Sequence, residues 1–396
     1  MVPRIRQIQI RNYKSIDRAV VDLEPFTVLV GSNGAGKSNF IDALAFVQEC
    51  LATSIEAAGE RRGLIHTPGS STFGIRLLFD VSLEVTAEYS FEILAGIRTL
   101  SVVRERCTLR MPPDRKIGFE VAQGRFVQEI PGVRPKLSPD RLALFAASAL
   151  DEYRPVYDFL TSMRFYSIEP AQLRKWQKLD SGEVLKVDGS NAASVLSNLQ
   201  QLAEQSGDDR CNHFSRLIAR IVPGIQSVGM IDSTAREGLI TFLQDTGDDG
   251  QMAFTALEMS DGTLRVLGLL LALYQPHPPS VLLIEEPEAT IHPAAVELVT
   301  QILLDAAQER QVIITTHSPD ILDFKGLSDE QIRVVSMEHG HTVVTPLSKA
   351  SRQAIRDRLY TPGELLRIDE LASDIEAADR LSSQIDLFGE LPAPSR

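Results

Sequence analysis

The sequence predicts an α/β fold, and three observations predict it. An apolar run short enough to be a buried strand (Phe26, Val28, Leu29, Val30) breaks into the glycine-rich turn GSNGAGKS, then into a helix starting near Lys37. Two further buried strands, Val281 to Ile284 and Val312 to Thr316, end in the polar clusters EEPE and THSP and flank a helical pattern at Ala294 to Glu309. Between these ends, Phe73, Ile75, Leu77, Phe79, Val81, Leu83 and Val85 alternate with polar residues, as a half-buried antiparallel sheet requires.

With 396 residues the chain can bury a large core and form two lobes. A net charge of −13 argues against a surface that is all nucleic-acid footprint and leaves a local basic groove open. The amino terminus, MVPRIRQIQIRN, lacks the apolar block of a signal peptide, and the longest apolar run, Val266 to Tyr274, is too short to span a bilayer. The expectation is a cytoplasmic protein without membrane contact. Cys50, Cys107 and Cys211 have no metal-ligand spacing and read as reduced, buried thiols.

Taken in order, residues 4–22 read as a hairpin feeding the glycine-rich strand and forming an edge of its sheet, with Lys14 and Ser15 as candidate nucleotide contacts. The loop itself, Gly31, Ser32, Asn33, Gly34, Ala35, Gly36, Lys37 and Ser38, has P-loop spacing. Its glycines let backbone N–H groups turn inward, and the helix start adds partial positive charge, so a polyphosphate fits. Lys37 would reach the β- and γ-phosphates, and the Ser38 hydroxyl would ligate Mg²⁺.

An antiparallel meander continues through Tyr89–Ile93, Leu100–Leu109 and Ile117–Val127. Its Arg104, Arg106, Arg110, Arg115, Lys116 and Arg125 read first as a solvated face balanced by neighbouring acids and second as a phosphate-binding surface. A helical pattern covers residues 138–162 and a strand Met163–Ile168; Trp176 reads as a packing residue among basic neighbours. Helices at Asn191–Glu204 and His213–Ile221 precede strands at Ile225–Ile231 and Leu239–Gln244, and DTGDDG (245–250) reads as a hairpin turn rather than a calcium loop. No heptads and no internal repeat run through this part, so the segment between the two halves of the site is compact.

Ser260 and Gly262 open an apolar helix and can cap an anion. Glu285 and Glu286 follow a buried strand, where ligands bind in α/β sheets; Glu285 can hold Mg²⁺ and Glu286 can deprotonate an attacking water. Two adjacent anions imply a cation between them. His317 ends the next strand within reach of a γ-phosphate if the two strands are neighbours. The tail from Pro362 carries a docking helical pattern and loose final residues near 392–396; Ile385, Leu387 and Phe388 read as packing back on their own domain, with a partner-docking motif as the other reading.

GSNGAGKS, SDGTLR, LLIEEPE followed by IHP, and TTHSP, in this order, resemble the ABC-type ATPases of the RecF and SMC group. With RNYKSI ahead of them, they look particularly like bacterial ATP-binding proteins related to the amino-terminal domain of the OLD family. The resemblance covers about residues 1–50 and 255–345 and implies an ABC-type P-loop NTPase: a mixed sheet assembled from both chain ends, an antiparallel β layer and an inserted helical subdomain. It divides the chain into a composite ATPase domain (1–90 and 255–350), an insertion (90–255) and a helical tail (351–396). It also implies that Gly31, Gly34, Gly36, Lys37 and Ser38 hold ATP, that Glu285 serves Mg²⁺, that Glu286 is the catalytic base and His317 the switch histidine, and that Ser260 and Gly262 complete the site of a second copy. The signature MSDGTLR departs from LSGGQ, Glu285 stands where many relatives have Asp, and neither Gln48 nor Gln123 fits a Q-loop.

The function so implied is an ATP-dependent homodimeric switch in DNA repair or phage defence, controlling a separate effector nuclease. The alternative is a RecF-like DNA-binding clamp with weak ATPase activity, contacting DNA through the arginine-bearing meander. A nuclease of the full OLD kind needs a metal-binding domain that the residues after His317 do not supply, and a transporter ATPase would carry a signature glutamine.

Overall fold

The structure, a computed structural model, describes residues 3–64, 71–96, 99–113, 115–128, 137–138, 140–233, 236–245, 250–383 and 385–389. In chain order the strands are β1 (Arg4–Tyr13), β2 (Ile16–Asp22), β3 (Phe26–Val30), β4 (Ser71–Asp80), β5 (Thr86–Ala95), β6 (Leu100–Met111), β7 (Arg115–Ala122), β8 (Arg125–Gln128) and β9 (Arg164–Tyr166). They continue with β10 (Gln177–Lys178), β11 (Ile225–Asp232), β12 (Glu237–Asp245), β13 (Gln251–Thr255), β14 (Val281–Glu285), β15 (Gln311–Thr316), β16 (Ile332–Glu338) and β17 (His341–Pro346).

A mixed sheet runs β9-β14-β15-β3-β16-β17, parallel except for the antiparallel edge β17. Its strands come from both ends of the chain, except that β9 lies within the 90–255 segment. Alternate side chains feed two cores, because successive residues of a strand point to opposite faces. Leu29, Leu283 and Ile313 join a core with the helix Lys37–Ala52, and Val28, Val30, Ile284 and Ile314 join one with the helices Ala192–Ser206 and Asp261–Tyr274. Burial on both faces explains why these strands read as continuous apolar runs.

The antiparallel sheet runs β2-β1-β4-β5-β6-β7-β8 and closes the first core from the far side of the helix Lys37–Ala52. The amino-terminal hairpin therefore edges this sheet and not the mixed one, a correction fixed by the pairing of Ile8 with Leu77 and Ile10 with Ile75. Alternation along residues 73–85 also divides: β4 ends at Asp80, a turn follows, and Leu83 is 74% exposed. A small sheet, β10-β12-β11 with β13 beside β12, packs on the second core.

The helical pattern over 138–162 resolves into two short helices, Ala143–Ala147 and Arg154–Thr161. Trp176 is exposed rather than packed, and its neighbour Arg174 bonds the Met259 carbonyl and Asp261. Residues 246–249 of the DTGDDG turn and the tail end 392–396 lie outside the described residues. Cys50, Cys107 and Cys211 are free thiols, the first two buried. Among the described residues no helix is long and apolar enough to cross a membrane.

Residues 385–389 cross the outer face of β4–β6. Leu387 fills the notch left by the missing side chain of Gly74, and Phe388 lies under the Arg104 guanidinium, 4.3 Å from its ring centroid. Arg76 donates to the carbonyls of Asp386 (2.8 Å) and Gly389 (2.9 Å). The tail packs back on its own chain.

Candidate active site

Strands β3, β15 and β14 end side by side. Val30 pairs with Thr316 and Thr315 with Glu285, so the loop after β3 and the carboxylates after β14 share one rim. That rim is where open α/β sheets bind ligands. Between them lies a cleft of about 730 Å³, lined among others by Lys37, Ser38, Glu285, Glu286, Thr315 and Arg265.

Lys37 is buried, and its ammonium donates to the carbonyls of Gly31 (2.7 Å) and Ser32 (3.1 Å). Burial pulls its pKa below that of an ordinary lysine, while the Glu286, Glu288 and Glu285 carboxylates oppose the shift. An ammonium held by two neutral carbonyls is one that a phosphate can draw away, since charge-assisted bonds are roughly twice as strong as neutral ones.

On the acidic side, Glu286 holds φ at 43°, in the left-handed region. Strain of this kind costs about 1–3 kcal/mol and gathers at functional sites. Its amide donates to the Thr315 carbonyl (3.1 Å) and hydroxyl (3.2 Å), which aims the side chain, and its Oε1 lies 3.3 Å from His317 Nδ1. Glu288 accepts from the Thr316 hydroxyl, and burial pushes its carboxyl pKa up. Its other oxygen is buried without a partner, as is Arg265 Nε. Burial also pulls the Arg265 pKa down, opposed first by Glu288 and Glu286. Arg265, on the cleft wall, thus leaves a buried donor that an anionic ligand could take up.

The residues present fit Mg-ATP. Among the described residues no group of three His, Cys, Asp or Glu side chains can hold a metal unaided. Magnesium, however, is typically held by one or two protein ligands together with phosphate oxygens, and both Ser38 and Glu285 stand on the cleft wall.

Ser260 caps the helix Asp261–Tyr274 by accepting from the Thr263 amide (3.2 Å) and is exposed to solvent. Gly262 has a task within the chain: a Cβ there would come 2.7 Å from the Thr290 carbonyl, so its absence lets the helix start settle on the loop after Glu286. Asp261 and Arg265, just beyond, line the cleft of their own chain. Lys14 and Ser15 lie outside that cleft: Lys14 pairs with Asp42 at 2.6 Å, and Ser15 bonds Thr342 and Asn39.

Arg174, Arg265, Glu288 and the Ser167–Glu169 segment belong to this region without having been given a role from sequence. The only signal was local: Arg265 stands one helical turn past Asp261, and Glu288 closes the acidic run. On the meander, Arg104 pairs with Glu120 and Arg115 with Glu152, while Arg106 and Arg76 share Glu88. Those arginines balance neighbouring acids, in line with the first reading.

Comparison with known proteins bears on the fold and on its ATPase character. The sequence family described as "AAA ATPase domain" matches residues 4–90, and the one described as "AAA domain, putative AbiEii toxin, Type IV TA system" matches residues 178–323. The Old nuclease of Escherichia phage P2 is 23% identical over 349 residues, covering 82% of this chain and 58% of the nuclease. The chromosome partition protein Smc of Methanocaldococcus jannaschii is 43% identical over 62 residues, 15% of this chain and 5% of Smc. The chain thus spans little more than half of the first relative and a small part of the second. Among solved structures, an SMC head bound to the C-winged helix domain of ScpA superposes with a TM-score of 0.50 at 18% identity, covering 88% of this chain and 99% of the head. With the P-loop, the acidic strand end and the mixed sheet in place, the chain has the fold of an ABC-type P-loop ATPase and is similar to the ATPases of the RecF, SMC and OLD group.

Proposed function

We propose that this protein is a Mg²⁺-dependent ATP switch whose two copies close head to tail over two ATP molecules. The observation that carries the reading is the convergence of Lys37 and Ser38 with Glu285, Glu286 and His317 on three adjacent strand ends. Gly31 to Lys37 cradle the phosphates with backbone N–H groups and the lysine ammonium. Ser38 and Glu285 would hold magnesium, whose charge would offset that of the triphosphate. Glu286 takes a proton from water as its oxygen attacks the γ-phosphorus, the bond to ADP breaks, and His317 steadies the Glu286 carboxylate. Ser260, exposed at its helix start, and Gly262 face the γ-phosphate of the second copy. Binding favours closure and hydrolysis releases it.

In the cell the switch acts in the cytoplasm, in DNA repair or phage defence, and passes its state to a separate effector nuclease. The carboxylate-paired arginines of the meander support a protein partner over a RecF-like DNA surface. Light scattering after size exclusion tests the dimer: Glu286→Gln with ATP and Mg²⁺ is expected to run as a dimer and to revert to monomer without nucleotide. An unchanged monomer with ATP overturns the head-to-tail reading.

A further inference from the structure

Thr342 lies at the start of β17, more than three hundred residues beyond the phosphate loop, yet it is 1% exposed and stands directly behind that loop. Its hydroxyl donates to the Ala35 carbonyl (3.0 Å) and bonds the Ser15 hydroxyl (2.7 Å), which accepts from the Asn39 side chain (2.6 Å). The backbone is joined too: the Thr342 amide donates to the Ser15 carbonyl (2.8 Å). Gly36 sits against this threonine at φ 102°, and any Cβ there would fall 1.9 Å from its hydroxyl.

A trans peptide carries its C=O and N–H on opposite sides. Fixing the Ala35 carbonyl on Thr342 therefore turns the Gly36 N–H away from β17, toward the cleft that Gly36 lines. We infer that Thr342 is a positioning residue for phosphate binding: it holds the 35–36 peptide in the orientation that presents the Gly36 N–H to the nucleotide. Ser15 and Asn39 extend the same clamp to the first turn of the helix. The inference rests on the proposed ATP site, and it concerns binding rather than the chemical step, since Thr342 lies behind the loop and not in the cleft.

The test is calorimetric titration of the full chain with ATP and Mg²⁺, with steady-state hydrolysis alongside, for wild type, Thr342→Val, Thr342→Ser and Ser15→Ala. Losing one buried hydrogen bond to a preorganised loop is expected to weaken ATP binding and raise KM by about 5- to 10-fold in Thr342→Val, with kcat within about twofold. Thr342→Ser keeps the hydroxyl and is expected to bind within about twofold of wild type. Ser15→Ala loosens the clamp from its other side and is expected to weaken binding by about threefold; it carries the test alone if Thr342→Val does not fold. Binding by Thr342→Val, or by Ser15→Ala in its place, within about twofold of wild type overturns the inference, as does a fall in kcat at unchanged KM. A wild-type protein that takes up no ATP instead overturns the nucleotide reading itself.

Discussion

Two regions of this molecule are equally rich in charge and treat it in opposite ways. On the outer face of the antiparallel sheet, guanidinium groups are paired with carboxylates within the chain: Arg11 with Glu92, Arg104 with Glu120, Arg76 and Arg106 with Glu88 and with carbonyls of the tail. In the cleft, Lys37 rests on carbonyls and Glu286 sits in a strained backbone, and behind them the buried Glu288 keeps an oxygen without a partner. The sheet face is charge used as structure, whereas the cleft is charge kept for something that arrives. Burial is common to both, and a guanidinium Nε stays without a partner in both, at Arg76 and Arg106 as at Arg265; what tells them apart is that the sheet-face arginines are paired with carboxylates, whereas Lys37 rests on neutral carbonyls.

The comparison breaks most readily at Lys37. Lys37→Ala is expected to reduce ATP hydrolysis by about 10³-fold, the scale on which a transition-state charge donor counts. Because burial disfavours its charge, the same change is expected to leave Tm unchanged or raised in scanning calorimetry. A Tm loss matching that of a sheet-face arginine would erase the distinction. Arg76→Ala is the mirror experiment: 2% exposed and shared between Glu88 and the tail, its removal is expected to cost about 3–4 kcal/mol in urea denaturation. ATP affinity should stay within about twofold.

Glu105 sharpens the contrast from inside β6. It is 1% exposed and receives the Tyr89 hydroxyl (2.9 Å) and the Leu144 (2.9 Å) and Ala143 amides, with hydrogen bonds alone to support a charge. Burial outweighs these bonds and raises its pKa from 4.5 to about 7. The folded chain then holds the proton more tightly than the unfolded one, so this contribution to stability is complete below about pH 4.5 and is lost as pH rises through about 7. Glu105→Gln is expected to flatten that slope, and the advantage of wild type over the variant should shrink on the order of 2 kcal/mol between pH 5 and 8. A pH-independent gap would show that the hydrogen bonds suffice. The smallest effect belongs to Phe388→Ala, about 1–2 kcal/mol with faster proteolytic release of the tail, from lost burial and lost contact with Arg104.

Local chemistry was legible in the sequence and long-range pairing was not. The loop from Gly31 to Ser38 declares itself because spacing and strand context lie within a dozen residues. Strands β14 and β15 are apolar throughout because both of their faces are buried, so each could be recognised without knowing its neighbour. Strand β9 has three residues and pairs with Leu282–Ile284, and nothing in so short a run marks the sheet it will join. The hairpin of β1 and β2 carried the right alternation, but alternation does not choose between two sheets. Thr342 was invisible for the same reason: a threonine in a strand is an ordinary residue until the phosphate loop is found in front of it.

The order of the strands in the mixed sheet also bears on how the chain is made. Strand β3 is buried along its whole length, yet its two neighbours begin only at Gln311 and Ile332. At typical synthesis rates of 5–20 residues per second, those partners follow β3 out of the ribosome after a delay on the order of 15–60 s. For that interval Phe-Thr-Val-Leu-Val is an aggregation-prone segment with no native mate, and the cradle beside it has no backing wall. The mixed sheet that carries the phosphate loop therefore cannot close around β3 until β15 and β16 have been made.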